Sequence, residues 1–216
     1  MNLLIIGAPG AGKGTMSNFI VDKYKTVHIS TGDLLRQAIA SNSDIGKIAK
    51  SYIDQGHLVP DSIIQDIITE CLKKDEVKNG FLFDGYPRTV KQAESLKTIL
   101  ENLNSKIDAV IYLDVDDDVL IKRIEGRRIC PKCELSYNLF FSPPKKEGVC
   151  NNCGTKLVLR SDDNPESIKK RLTEFRSNTQ PVIDYYKKQN LVKHIDANID
   201  RNLVFNYISE ALEGIQ

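Results

Sequence analysis

Gly7-Ala8-Pro9-Gly10-Ala11-Gly12-Lys13-Gly14-Thr15 follows directly on the apolar run Asn2 to Ile6. A short apolar run closed by glycine has the pattern of a strand buried on both faces. Lys13 to Tyr24 then reads as a helix. Strand, glycine-rich loop and helix together make a phosphate cradle. Glycines let backbone N–H groups turn inward, and the helix N-terminus adds its partial positive charge. Gly10, Ala11, Gly12 and Gly14 supply that backbone, and Lys13 can reach the terminal phosphates of a triphosphate. The match to the common phosphate-loop pattern is not strict. Gly14 follows the lysine where Ser or Thr is usual, so Thr15 is the candidate hydroxyl near phosphate or magnesium. The competing reading is a tight strand–helix turn that needs its glycines only for packing.

Working outward, Thr26 to Ile29, Gly80 to Phe83, Ala109 to Leu113 and Leu191 to Ile195 read as four further short strands. Helical spacing marks Asp61 to Lys74, Val90 to Leu103, Val119 to Arg127, Pro165 to Gln189 and Arg201 to Leu212. Alternation of this kind predicts an α/β fold, a parallel five-stranded sheet flanked by helices. Asn164 and Pro165 suit a helix start, Pro181 predicts a kink, and the acidic run Asp114 to Val119 suits a positive helix end. Two segments interrupt the alternation. Ser30 to Val59 holds two short helices, Thr31 to Ser41 and Asp44 to Gln55, with no strand between. Gly126 to Asp163 is rich in turn residues and carries four of the five cysteines.

At 216 residues the chain spans ~1.4 average domains, which fits one domain with insertions better than two. A 41% hydrophobic, 27% charged composition excludes global disorder. The net charge of +1 (30 − 29) argues against a protein built for non-specific nucleic-acid binding. Leu3 to Ala8 is far short of the ~20 residues of a membrane span and has no basic region before it, so it reads neither as an anchor nor as a signal peptide. The expected location is the cytoplasm.

Cys130, Cys133, Cys150 and Cys153 form two C-x2-C pairs sixteen residues apart, the spacing of a four-cysteine zinc ribbon. Two disulfides and a rubredoxin-like iron site are the alternatives. Four thiolates leave no open coordination position, so the metal would be structural. Cys71 reads as a small core residue. Two strands end in a carboxylate, at Asp84 and Asp114. Either lies where parallel sheets bind ligands and can hold magnesium through water. Arg88, four residues on, favours Asp84.

Together, GAPGAGKGT, STGDLLR (Ser30 to Arg36), FDGYPRT (Phe83 to Thr89), GRR (Gly126 to Arg128) and DDNPESIKKR (Asp162 to Arg171) resemble the adenylate kinase family, in its long-lid bacterial form with a zinc-binding lid. The motifs occur in order over almost the whole chain. Met16 and Tyr86 stand where many relatives carry Gln and Phe. The resemblance implies a P-loop core (1–29, 60–125 and 164–216), a mobile AMP-binding subdomain (30–59) and a mobile lid over ATP (126–163). It implies reversible phosphoryl transfer from ATP·Mg to AMP, giving two ADP, by a monomer.

That reaction puts four phosphates in one cleft, where catalysis is positioning and charge stabilisation. Arginine suits it, because its planar fork grips phosphate oxygens in pairs. Of nine arginines, the resemblance assigns six. Arg36 and Arg88 hold the AMP phosphate, Arg123 and Arg127 hold ATP with one stacked on its base, and Arg160 and Arg171 close over the transferring group. Arg128, Arg176 and Arg201 read as surface residues. The resemblance also puts Thr31, Gly85, Gln92 and the backbone of His57, Leu58 and Val59 around AMP. Gln92 can pair with an adenine edge, or be an exposed helix residue. Tyr137 can touch the ATP base or belong to the lid core.

Two other readings use the same residues. A kinase for another nucleoside monophosphate would share the phosphate machinery. A nucleotide-gated nucleic-acid binder would need a basic, aromatic-studded ribbon. Segment 126–163 has four lysines and three arginines against Glu134, Glu147, Asp162 and Asp163, which is only mildly basic.

Overall fold

The computed structural model describes residues 1–215 apart from 56, 134, 161 and 162. Glu134 and Asp162, counted above, therefore lie outside the described residues. β1 (Asn2–Gly7), β2 (Val27–Ser30), β3 (Phe81–Asp84), β4 (Ala109–Asp114) and β7 (Val192–Asp196) form one sheet in the order β2-β3-β1-β4-β7. Every neighbouring pair is parallel, with Ile5 beside both Asp84 and Ile111, and Ser30 beside Asp84. All carboxyl ends thus share one edge. The chain runs to one side of β1 for β2 and β3 and to the other for β4 and β7. The crevice opens beyond β1 for that reason.

Alternate side chains of each strand enter different cores, as expected of a sheet covered on both faces. Leu4, Ile6, Phe83, Val110 and Tyr112 meet α4 (Asp61–Leu72), α5 (Val90–Asn102) and α8 (Gln180–Lys187). Leu3, Ile5, Leu82 and Ile111 meet α1 (Lys13–Tyr24), α6 (Asp117–Glu125), α7 (Pro165–Glu174) and α9 (Arg201–Leu212). Cys71 is half-buried at the rim of the first core. No helix among the described residues is long and apolar enough to cross a membrane.

The strand-free segment after β2 holds α2 (Thr31–Ala40) and α3 (Asp44–Ile53), capped by Ser30 and Ser43. The second interruption carries the antiparallel hairpin of β5 (Arg127–Ile129) and β6 (Ser136–Asn138). Its small core of Cys130, Tyr137, Cys150 and Leu157 is separate from the other two.

Two expectations are corrected. The helix predicted to reach Arg127 ends at Glu125, and Arg127 opens β5. Asn138 intervenes there, its Nδ2 donating to the Arg123 carbonyl at 2.7 Å. The helix expected to run unbroken from Pro165 to Gln189 is interrupted ahead of Pro181. A π-type turn, Phe175–Thr179, separates α7 from α8. Proline has no N–H for the carbonyl four residues back, and the wider turn precedes it. Asn164 caps α7 as predicted, accepting from the Ser167 N–H at 2.9 Å.

Candidate active site

β1 hands the chain to α1 through Ala8–Gly12. Gly10 and Gly12 sit at φ +89° and +94°, a region that side chains rarely tolerate. A Cβ on Gly10 would also lie 2.8 Å from the Leu120 carbonyl, so the loop lies directly against α6. No side chain caps α1; the Thr15 N–H donates to the Gly12 carbonyl at 3.0 Å, and the Lys13 and Gly14 N–H groups ahead of it are placed for an anion in the loop. Lys13 folds back over this loop, donating to the carbonyls of Gly7 at 2.7 Å and Ala8 at 3.2 Å. Its pKa falls to about 8. Burial is the main cause; Asp84 opposes it, and Arg88, Arg171 and Arg127 add repulsion. Thr15, two residues on, is exposed.

The two strand-end carboxylates part company. Asp84 lies on the cleft side, accepting from Ser17 Oγ at 3.4 Å with His28 Nε2 3.7 Å away. Asp114 faces β7, held by Tyr112 Oη at 3.0 Å and His194 Nε2 at 2.9 Å, and is half exposed. Only Asp84 among the two acts on Lys13.

Between α2, α3, α4 and β3 lies an open cleft. Thr31, Arg36, His57, Leu58, Val59, Gly85, Arg88, Gln92 and Arg171 line it. These come from four separate stretches of sequence, and the fold brings them to one place. Thr31 Oγ1 donates to the Gly85 carbonyl at 3.0 Å, and Arg88 Nε to the same carbonyl at 2.8 Å. Arg88 is also fixed from behind, because Thr179 Oγ1 donates to its carbonyl at 3.0 Å. Arg36 pairs with Asp33. Burial alone would raise the Asp33 pKa, but Arg36, the Ser30 hydroxyl and Arg160 hold it below the usual range. Gln92 is buried, not exposed.

The other arginines also converge. Arg127 and Arg171 share the buried carboxylate of Asp163. Arg123 donates to the carbonyls of Ala11 at 3.3 Å and Ala197 at 2.8 Å, and its guanidinium lies 5.5 Å from the Phe141 ring centre. Burial lowers its pKa. The three arginines set aside from the sequence lie elsewhere. Arg128 binds the Glu125 and Arg127 carbonyls, Arg176 pairs with Asp117, and Arg201 lies over Phe205.

The four cysteines come together as free thiols. Sulfur separations are 3.3 Å for Cys130–Cys153, 3.5 Å for Cys133–Cys150 and 3.7 Å for Cys133–Cys153. A tetrahedral zinc with bonds of ~2.3 Å has edges of ~3.8 Å, so this donor set fits such an ion. Tyr137 packs in this core. Its hydroxyl lies 3.3 Å from Cys150 Sγ and accepts from the Asn151 N–H at 2.9 Å. The Cys150 thiol falls to about 6, first because of that phenol.

Sequence reading missed the residues that hold these groups: Asp33, Asp61, Asp163, Thr179 and Asn138. A signal existed for Asp163, an acid set between two assigned arginines in the chain, and for Asp33, three residues before Arg36 on one helix. The others depend on contacts between distant segments.

The comparisons agree with this geometry. The adenylate kinase family model matches residues 5–191. Adenylate kinases of Clostridium tetani and Methanothrix thermoacetophila are each 46% identical, and that of Geobacillus sp. strain WCH70 is 48% identical. Each alignment covers 100% of both chains. A phosphate loop, an arginine-lined cleft beside it and similarity along the entire chain agree, and the protein belongs to the adenylate kinase family.

Proposed function

We propose that the two halves of the crevice divide the nucleotides of the family reaction, ATP + AMP to two ADP. Gly10–Thr15, with Arg123 and Arg127, holds ATP. The cleft lined by Thr31, Arg36, His57, Leu58, Val59, Gly85, Arg88 and Gln92 holds AMP, and Arg160 and Arg171 lie over the phosphates between. The observation that carries this reading is the convergence of Arg88, Arg127 and Arg171 on the buried Lys13, whose pKa is lowered first by burial and further by their repulsion. Cations packed this closely repel one another until a polyphosphate lies among them.

Chemistry here is positioning. Lys13 would leave the Gly7 and Ala8 carbonyls for the β- and γ-phosphates, and the arginines would neutralise charge that grows on the transferring oxygens. Transfer is direct and in-line. Asp84 and Thr15 would hold Mg2+, which would supply positive charge against that of the phosphates. Cys130, Cys133, Cys150 and Cys153 would hold Zn2+, which stiffens the lid at 126–163 so that it closes as a unit over ATP and keeps water out. Segment 30–59 closes over AMP. The enzyme works as a cytoplasmic monomer.

The test is ADP formation from ATP·Mg with AMP, CMP, UMP, GMP or no acceptor. ADP formed with AMP alone supports the assignment. Preference for another monophosphate would overturn the base assignment, and ADP without acceptor would overturn the transferase reading.

A further inference from the structure

Gln92 sits in the first turn of α5, 5% exposed, with its amide on the AMP cleft. Both ends of that amide are occupied. The Arg88 N–H donates to Oε1 at 2.7 Å, and Nε2 donates to Asp61 Oδ1 at 2.6 Å. Neither bond survives turning the amide over, because a backbone N–H cannot accept and a carboxylate cannot donate. The backbone is anchored as well: Tyr86 Oη donates to the Gln92 carbonyl at 3.3 Å. One N–H on Nε2 and one lone pair on Oε1 remain for a ligand.

We propose that Asp61 is a positioning residue for base selection. By holding Gln92 in one orientation, it sets the order of donor and acceptor that the amide offers to the monophosphate base. Adenine presents an acceptor at N1 beside a donor at its 6-amino group. Hypoxanthine has nearly the same shape but presents N1–H beside O6, the reverse order. A fixed amide accepts one and opposes the other. Without the carboxylate, only the Arg88 N–H orients Gln92, and the reversed order becomes accessible at the loss of one hydrogen bond. This inference rests on the assignment of Gln92 to the AMP base.

The experiment compares AMP with inosine monophosphate as acceptors for the wild type and for Asp61→Ala, Asp61→Lys, Asp61→Asn and Gln92→Ala. Asp61→Ala is expected to raise KM for AMP about tenfold and to lower the AMP-to-inosine ratio of kcat/KM at least about fivefold, with KM for ATP unmoved. Asp61→Lys puts a donor where the acceptor stood and should lower the ratio further; it carries the comparison if the Ala variant fails to fold. Asp61→Asn can accept in the same place and should restore most of the ratio. A wild-type ratio in both Asp61→Ala and Asp61→Lys overturns the proposal. If Gln92→Ala lowers the ratio while those two do not, only the role of Asp61 falls. If Gln92→Ala also leaves it unchanged, the assignment of Gln92 to the base falls too.

Discussion

Arg127 and Asp163 clasp each other across the two ends of segment 126–163. Nε donates to Oδ2 at 2.7 Å, Nη2 donates to Oδ1, and the Asp163 side chain has no solvent exposure. Arg171 Nη1 reaches the same Oδ1 at 3.3 Å. One carboxylate therefore holds two guanidinium groups beside Lys13. Removing one partner of a buried pair leaves uncompensated charge, which costs about 3 kcal/mol. Asp163→Asn is expected to lose about that much stability in urea unfolding. Saturating ATP should narrow the gap to wild type, because phosphates replace the missing charge. A gap that stays as wide with ATP would contradict the placement of Arg127 and Arg171 on phosphate.

Lys13 provides a pH signature. Its pKa near 8 lies below the 10.5 of the unfolded chain, so between those values the unfolded state binds more protons. Stability of the free protein should therefore rise from about pH 8 toward 10.5 through this group. Binding has the opposite sign. Phosphate favours the ammonium, so ATP binding above pH 8 takes up a proton and weakens by up to about tenfold per pH unit. Calorimetric titration at pH 8.5 in buffers of different ionisation enthalpy reads that proton directly. No dependence on buffer would refute the lysine–phosphate contact.

The cysteine cluster predicts a local effect of metal. Chelation should lower the melting temperature and expose the lid first to proteolysis, since segment 126–163 has too small a core to stand alone. Tyr137→Phe removes the phenol from Cys150 Sγ without opening the core. It is expected to weaken zinc retention by about tenfold in a chelator competition. An unaltered melting curve after verified metal removal would dispose of the structural role.

Gly46 marks the closest approach of α3 to α2. A Cβ there would lie 2.0 Å from the Ala38 carbonyl, so Gly46→Ala must push the two helices apart. The expected cost is about 1–3 kcal/mol, against the usual gain of Ala over Gly in a helix. Because α2 carries Thr31 and Arg36, KM for AMP should rise while KM for ATP holds. Equal changes in both would mean that segment 30–59 is not a separate AMP-side unit.

Asn138 binds the lid to α6. Besides the Arg123 carbonyl, it receives the N–H groups of Phe140 at 3.0 Å and Phe141 at 3.2 Å through Oδ1. It thus sets Phe141 opposite Arg123. Asn138→Ala should raise KM for ATP severalfold and leave KM for AMP unchanged, as steady-state kinetics with each substrate varied would show.

Features readable in the chain are those written by neighbours in sequence. The phosphate loop needs glycines at particular backbone angles between one strand and one helix, all within Asn2 to Tyr24. The cysteine pairs carry their spacing openly. Strand and helix periods reflect which apolar residues must leave water, so the five strands and the two interruptions were legible. Helix ends were less so, as at Glu125, because Asn138 acts there from outside the local sequence.

Polar partnership between distant segments was decided only in three dimensions. Asp84 and Asp114 end their strands alike, yet one faces Lys13 and the other faces His194. Tyr137 reads equally well as a base contact or a core residue until the fold sets it against Cys150. Gln92 meets Asp61 from 31 positions away, and Arg127 meets Asp163 from 36. Apolar burial is non-directional and leaves a periodic trace in the chain. A hydrogen bond or buried ion pair needs one particular partner at one distance and angle, and the packing of separate elements supplies that partner.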